Sequence, residues 1–301
     1  MWILIDLSFL AYRAKHSLQG LTSEEYPTGV LYGVFEQIYS ICSNPRFLSN
    51  KIVILADSRS SYRLRAFPKY KYKRREDRTE EEWEEINAMR DQVKILTNRI
   101  FPRMGIQVHG QKGLESDDHL AWGSKLLTEQ EEKGVMITSD GDIFQSITDF
   151  VSWYDPQRDL FYNPTSFIAK KHIKPSQWGL VKAIGGCTTD SVPGLDGVGE
   201  KGAIDYINGD MPEHYKKYKT ILESFTSGEL DKWKELVVLP HKKTRPFKLK
   251  APKYNSEAFF DFCEEYDIDS YLSPKGMTKW KRFFKGRFNE VRKRRRLIDG
   301  V

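Results

Sequence analysis

Cysteine is scarce in this 301-residue chain: Cys42, Cys187 and Cys263 are all there is. An odd number without metal-type spacing argues against a disulfide framework and fits a reducing compartment. Long apolar runs are missing as well, and none approaches the length of a membrane span. The opening Met1-Trp2-Ile3-Leu4-Ile5 is too short for a signal peptide and runs straight into Asp6. There is no internal repeat and no low-complexity linker. No histidine lies near Cys187 or Asp190 in sequence, so Ser/His/Asp or cysteine-nucleophile chemistry has no base to work with. These absences read as a cytoplasmic, enzyme-sized protein with no membrane partner. Its length can hold one large domain and a smaller one.

What is present is carboxylate at particular places. Gly113-Leu114-Glu115-Ser116-Asp117-Asp118 carries three acids within four residues, and Asp6, Asp57, Asp140 and Asp142 each sit at or just after a short apolar run. Taken singly, the first stretch reads as a solvated helix start and Asp6 as a helix N-cap. Taken together, the runs ending at Asp6, Asp57 and Asp140, with Gly105–Gly110 between, read as strands. Helical spacing over Val30–Cys42, from Glu80 and from Asp117 alternates with them, which predicts a parallel sheet covered by helices. Acids at the carboxyl ends of parallel strands converge on one crevice. So many like charges cannot stay ionised together without cations, and oxygen ligands suit Mg²⁺ or Mn²⁺. Gly141 is expected to let the chain turn sharply, so that Asp140 and Asp142 address one cation. Val151–Tyr154 and Leu160–Tyr162 read as a hairpin at the sheet margin.

Positive charge is concentrated in two places. Residues 58–78 hold nine Lys or Arg against two acids, with Tyr62, Phe67, Tyr70 and Tyr72 interleaved. This is either a solvated face or, given the rings, a surface for single-stranded nucleic acid. Pro68 makes the segment partly irregular. Glu80, Glu81, Glu82, Glu84 and Glu85 then open a helix at its positive dipole end, with Trp83, Ile86, Val93, Leu96 and Ile100 as its core stripe. His109 reads as a bland strand-end histidine. Gln177–Ile184 and a second helix from Gly199 through Ile207, joined through Gly197-Val198-Gly199, read as a helix-hairpin-helix. Its glycines allow the turn, and free N–H groups at the next helix start can hold a phosphate. His241–Lys253 reads as a loop and Tyr254–Tyr271 as one or two small helices. Lys279–Arg296 holds ten Lys or Arg against Glu290, with Trp280, Phe284, Phe288 and Val291 on one helical face. It suits nucleic acid or a partner protein, with a membrane-surface helix as the alternative.

Five separated blocks, the last in two parts, then resemble one family in its own order. They are Ile5-Asp6, Ala56-Asp57, Leu114-Glu115-Ser116-Asp117-Asp118, Thr138-Ser139-Asp140-Gly141-Asp142, Asp190-Ser191-Val192-Pro193-Gly194 and Gly197-Val198-Gly199-Glu200-Lys201. The chain, from Met1 to about Asn208, resembles the flap endonuclease or 5′-nuclease family, with bacteriophage 5′-exonucleases and the 5′-nuclease domain of bacterial DNA polymerase I among its members. The resemblance implies an α/β fold: a PIN-like parallel sheet with a helical arch, plus a helix-hairpin-helix module. On that reading residues 1–174 are catalytic with the arch at about 58–85, residues 175–275 are a DNA-binding module, and residues 276–301 are a basic tail.

It also implies roles. Asp6, Asp57, Glu115 and Asp117 would hold one metal, and Asp140, Asp142 and Asp190 a second, with Asp118 supporting. Two Mg²⁺ or Mn²⁺ ions about 4 Å apart would activate water and stabilise the leaving oxygen, giving a 5′-phosphate and a 3′-hydroxyl. Lys71 and Arg74 would neutralise the scissile phosphate, and Tyr70 would stack on the terminal base. Arg63 and Lys73 of the arch would contact DNA, and Gly197, Gly199 and Lys201 would grip the duplex backbone, with a K⁺ ion at the hairpin. One departure matters: the family has a carboxylate where this chain has Cys187, a poor Mg²⁺ ligand, so either the second ion binds more weakly or a water and Asp190 complete its shell. The expected substrates are 5′ flaps and duplex 5′ ends of DNA, in replication or repair, with RNA–DNA hybrids as an alternative. A DNA-binding module that has lost catalysis is the reading from another class. The resemblance also suggests a monomer encoded by a phage, acting in the host cytoplasm and meeting a replication protein through the tail.

Overall fold

Short runs of branched apolar residues become buried strands. Trp2–Asp6 (β1) and Ile52–Leu55 (β2) are buried at every position, as strands covered on both faces must be. They pair in parallel with Ile3 opposite Ile52 and Asp6 opposite Leu55. Gln107–His109 (β3) lies parallel to β2 on its other side. Gly134–Ile137 (β4) pairs in parallel with Val151–Asp155 (β5), and Leu160–Tyr162 (β6) returns antiparallel to β5 as the expected hairpin. Helices fill the sequence between strands, so the α/β class holds.

This structure, a computed structural model, describes residues 1–18, 21–22, 27–76 and 78–286, without the side chains of residues 74 and 75. It divides into two compact units that alternate along the chain. Met1–Ala56, Trp83–His109 and Leu249–Val301 form the first; Asp57–Glu82 and Gly110–Lys248 form the second. The boundaries expected near 174 and 275 therefore do not coincide with the units. The basic 57–82 segment and the helices between 175 and 248 group with β4 to β6, while the helices after 249 group with β1 to β3.

In the first unit Asp6 ends β1 and caps the helix Leu7–Ser17, its Oδ1 accepting from Phe9 N at 3.3 Å. The helix Gly29–Cys42 has no side-chain cap of its own. Gln92, a buried residue of the helix Glu80–Ile95, supplies one: its Oε1 accepts from Val30 N and Leu31 N at 2.9 and 3.2 Å. The core stripe of that helix is Ile86, Met89 and Gln92, continued by Leu96 and Ile100; Trp83 and Val93 are only half-buried. Phe35 is ringed by Phe101, Phe259, Phe262 and Trp280. Trp280 comes from the helix Pro274–Phe284, whose N-terminus is set by Pro274 and by Ser273 Oγ accepting from Gly276 N. The helix stops at Phe284, Gly286 follows with φ +63°, and the buried pair is Trp280 and Phe283. Phe288, Val291 and the tail residues 287–301 lie outside the described residues.

The second unit is organised by another aromatic cluster, in which Phe144 meets Trp153, Tyr162, Phe167 and Trp178. Two indoles of this cluster also point at the turn after β4. Trp153 Nε1 donates to the Asp140 carbonyl at 3.2 Å and Trp178 Nε1 to the Gly141 carbonyl at 2.8 Å. Gly141 itself has φ −78°, an ordinary value. The expectation that glycine freedom makes this turn is thus corrected: the indole hydrogen bonds hold it, and Gly141 matters because a Cβ would meet the Phe144 ring at 3.2 Å.

Candidate active site

The acidic stretch opens the helix Ser116–Glu129, with Glu115 at the N-cap position and Asp117 and Asp118 in its first turn. Local sequence favours this, because acids suit the positive end of a helix. The backbone N–H of Ser116 donates to Asp57 Oδ1 at 2.6 Å, so the acid that follows β2 in sequence is tied to the same helix start.

The structure then sorts the acids by partner. Asp118 is fully buried and paired with Arg63, whose Nη1 and Nη2 donate to Oδ2 and Oδ1 at 2.7 and 2.8 Å. The remaining acceptor capacity of Asp118 takes His241 N at 2.8 Å and Glu115 N at 3.2 Å. Arg63 is itself 1 % exposed and uses Nε on the Leu236 carbonyl at 2.8 Å. Burial would raise the Asp118 pKa, but the Arg63 hydrogen bonds and charge hold it below the usual carboxylate range. Two expected roles are corrected here. Arg63 does not face solvent where DNA could meet it, and Asp118 is saturated by protein donors; together they form a buried bidentate pair.

Glu115 and Asp190 share a second set of partners. The Tyr70 hydroxyl, placed 2.8 Å from Glu115 Oε2 and 2.8 Å from Asp190 Oδ2, bridges the two carboxylates. Lys71 Nζ bonds Glu115 Oε1 and lies 3.6 Å from Asp190 Oδ2. Ser60 Oγ adds a donor to Glu115 at 3.2 Å, and Arg63 Nη1 stands 3.6 Å from its Oε2. Burial pushes the Glu115 pKa up, while Lys71 and Arg63 pull it down, and the cations win. Lys71 is held by its backbone as well: φ is +53°, and its N–H donates to the Asp190 carbonyl at 2.9 Å. A non-glycine residue in the left-handed region at such a place marks a position fixed by its surroundings. Tyr70 is 2 % exposed, and burial with two neighbouring carboxylates drives its pKa well up. Its expected role of stacking on a base is corrected, because the ring presents no open face.

A third set lies at Asp142. Its Oδ1 is 3.2 Å from Lys182 Nζ, and its Oδ2 accepts from the Cys187 thiol at 3.1 Å. Its N–H donates to Asp140 Oδ1 at 2.8 Å. One ligand atom from each of Asp142, Cys187 and Asp190 can be chosen so that all lie within 4.8 Å of one another, a spacing that could hold a metal ion. Burial, then Asp142 and Asp190, push the Cys187 thiol up to about 12. Lys182 also rises, since Asp142, Cys187 and Glu200 outweigh its burial. The sequence reading missed Lys182, although a lone charge inside the apolar helix Trp178–Gly185 was the signal that could have found it.

Other expected residues fall elsewhere. Asp6 belongs to the first unit, at the β1 end. Asp57 is exposed, and Asp117 and Asp140 are half-buried. Lys73 is exposed on the short helix Lys73–Glu76, and the Arg74 side chain lies outside the described residues. The helices Trp178–Gly185 and Gly199–Asn208 pack closely: a Cβ on Gly185 would meet Glu200 N at 2.8 Å. Between them Gly197 and Gly199 have φ of +69° and +66°, and a Cβ on either would meet nothing within 4 Å. Their backbone is therefore open to solvent, and exposed Lys201 follows with its Nζ on Asp205 at 2.6 Å.

Comparisons place this geometry among known proteins. The model of the 5′-3′ exonuclease N-terminal resolvase-like domain matches residues 1–172. A 5′-3′ exonuclease of Buchnera aphidicola subsp. Schizaphis graminum is 24 % identical over 298 residues, covering 96 % of this chain and 95 % of that protein. The thermostable DNA polymerase I of Thermus aquaticus is 28 % identical over 203 residues, which is 67 % of this chain and 23 % of the polymerase. The structure of the T5 D15 protein co-crystallised with metal ions has the same fold, with TM-score 0.66 and 22 % identity over 79 % of this chain and 89 % of that one.

Proposed function

The chain belongs to the family of the 5′-3′ exonuclease N-terminal resolvase-like domain, and from that premise we propose that it is a structure-specific, divalent-metal-dependent 5′-nuclease. It cleaves DNA phosphodiesters at 5′ flaps and duplex 5′ ends, leaving 5′-phosphate and 3′-hydroxyl. The observation that carries this is the convergence of Glu115 and Asp190 on one phenol and one ammonium, Tyr70 and Lys71, on the unit that also holds Asp57, Asp117, Asp140 and Asp142.

The donor set fits a hard cation at one end and not at the other. Glu115, Asp190, Asp57 and Asp117 offer only oxygens, the ligands that Mg²⁺ or Mn²⁺ take. A divalent ion held there would supply an acidified water and charge for the leaving oxygen. At Asp142 the third donor is Cys187 sulfur, and Asp142 already serves an ammonium and a thiol, so no step is assigned to an ion at that end.

The protein's own residues account for the rest. Lys71 carries a positive charge to Glu115 and Asp190; with a substrate phosphate present, that charge offsets the phosphate, helped by Arg74. Tyr70 fixes the spacing of the two carboxylates instead of touching a base. Arg63 and Asp118 hold the segment bearing Lys71 against the start of the helix Ser116–Glu129. Residues 175–275 serve as the DNA-binding module. Gly197 and Gly199 offer open N–H groups to the duplex backbone, with K⁺ as a candidate ion there and Lys201 adding charge. Lys73 and the basic residues of 58–78 meet the displaced strand. No helix among the described residues is long and apolar enough to cross a membrane. A monomer working in the cytoplasm beside a replication protein completes the proposal.

The test is Mg²⁺ titration of cleavage on a 5′-labelled flap duplex, with an RNA 5′ strand in parallel and Asp140→Asn as control. Cleavage that disappears in Asp140→Asn while flap binding persists supports the reading. Tight flap binding without cleavage in Mg²⁺ or Mn²⁺ replaces it with a binding module. Cleavage confined to the RNA strand replaces DNA as the substrate.

A further inference from the structure

Asp142 differs from the other acids in what already surrounds it. One carboxylate oxygen faces the Lys182 ammonium at 3.2 Å and the other accepts the Cys187 thiol at 3.1 Å. Lys182 is not a loose surface chain. It springs from the helix Trp178–Gly185, its side chain is 16 % exposed, and its Nζ lies 5.2 Å from the centre of the Trp178 ring and 3.8 Å from Glu200 Oε2. Trp178 in turn is pinned by its bond to the Gly141 carbonyl, one residue before Asp142. The ring that steadies the ammonium thus also holds the carboxylate that receives it. Lys71 is a different case: its ammonium donates to Glu115 and lies near Asp190, with no thiol in the set, and its backbone lies in a turn with positive φ.

We propose that Lys182 is the resident cation of the Asp142–Cys187–Asp190 corner, so that one divalent ion, not two, binds tightly to this chain. The proposal rests on the nuclease reading and deepens it by fixing how many ions the site takes. The charges support it. Two carboxylates, a thiol and an ammonium leave far less negative potential for a second divalent ion than three carboxylates would. A thiol is also a poor ligand for the hard cations that the oxygen set selects. Cys187 and Lys182 act together: a neutral thiol and an ammonium beside Asp142 both reduce the negative charge of this corner.

Counting bound Mn²⁺ tests this without reference to cleavage. The full chain is titrated with Mn²⁺ and free ion is read by electron paramagnetic resonance. The wild-type chain binds about one Mn²⁺ tightly, and the Lys182→Met/Cys187→Asp double variant about two. Lys182→Met alone strengthens the second, weak event by roughly tenfold, and Lys182→Arg, which keeps the charge, stays at one. Near-UV circular dichroism identifies any variant that has lost its fold. Two wild-type sites within about threefold of each other in affinity, or a folded double variant that still binds one ion, overturns the proposal and leaves the nuclease reading standing. Absence of Mn²⁺ binding in every variant overturns both.

Discussion

Replacing Arg63 by Met separates a structural from a DNA-binding role in one experiment. Arg63 is 1 % exposed and Asp118 is fully buried, with two hydrogen bonds of 2.7 and 2.8 Å between them. Methionine fills much of the volume but leaves a buried carboxylate without its counter-charge, which costs about 3–5 kcal/mol. In a chain of this size that is on the order of 10 °C in melting temperature. The Leu236 carbonyl loses its donor as well. An arginine that met DNA at the surface would change stability by no more than about 0.5 kcal/mol on substitution. Urea unfolding at neutral pH measures the difference directly, and a double-mutant cycle with Asp118→Asn isolates the pair. Because the neutral amide no longer demands a cation, the two substitutions together cost less than their sum, by ~2 kcal/mol. A loss below about 1 kcal/mol for Arg63→Met, or additive behaviour in the cycle, refutes the assignment of Arg63 to the core.

Two further outcomes follow from the same network. Lys71→Met removes the ammonium between Glu115 and Asp190; single-turnover cleavage falls by about 10²–10³, while flap affinity measured by anisotropy in Ca²⁺ changes far less. Equal rates in the two proteins remove Lys71 from the chemistry. Stability falls with acid in two stages. His119 and His241 have pKa values lowered by burial, so their contribution is complete above the unfolded histidine value of about 6.5 and declines below it. Glu115 and Asp118 are lowered too; their contribution is complete above the unfolded carboxylate values near 4 and is lost as pH falls through the lower folded values. Urea midpoints from pH 7 to 2.5 should therefore decline gently at first and steeply below about pH 4. A curve that rises toward acid contradicts the network.

Local pattern alone carried the class of fold and the places of most acids. Apolar runs of four or five residues with an acid close behind became β1, β2 and β4, and the acidic cluster opened a helix because helix N-termini favour negative charge. The hairpin of β5 and β6 and the two short helices around Gly197 and Gly199 were legible for the same reason, since turn residues and periodicity are properties of neighbours in sequence. The end of the helix at Phe284 was not: Gly286 follows it with φ +63°.

Which charges meet was beyond the reach of any local reading. Arg63 and Asp118 are 55 residues apart, Tyr70 and Asp190 are 120 apart, and the Asp142–Cys187 contact spans 45. Sequence marked Arg63 and Tyr70 as a basic and an aromatic residue in a nucleic-acid-like segment, and residue type could say no more. Burial changed their roles, because a desolvated charge must find a partner of opposite sign and a buried hydroxyl must find an acceptor. The chemistry available to this chain, carboxylates near the ends of apolar runs, is written in local sequence. Only the tertiary structure decided which carboxylates answer to an arginine and which to a lysine, since that choice depends on long-range packing that brings opposite charges close together.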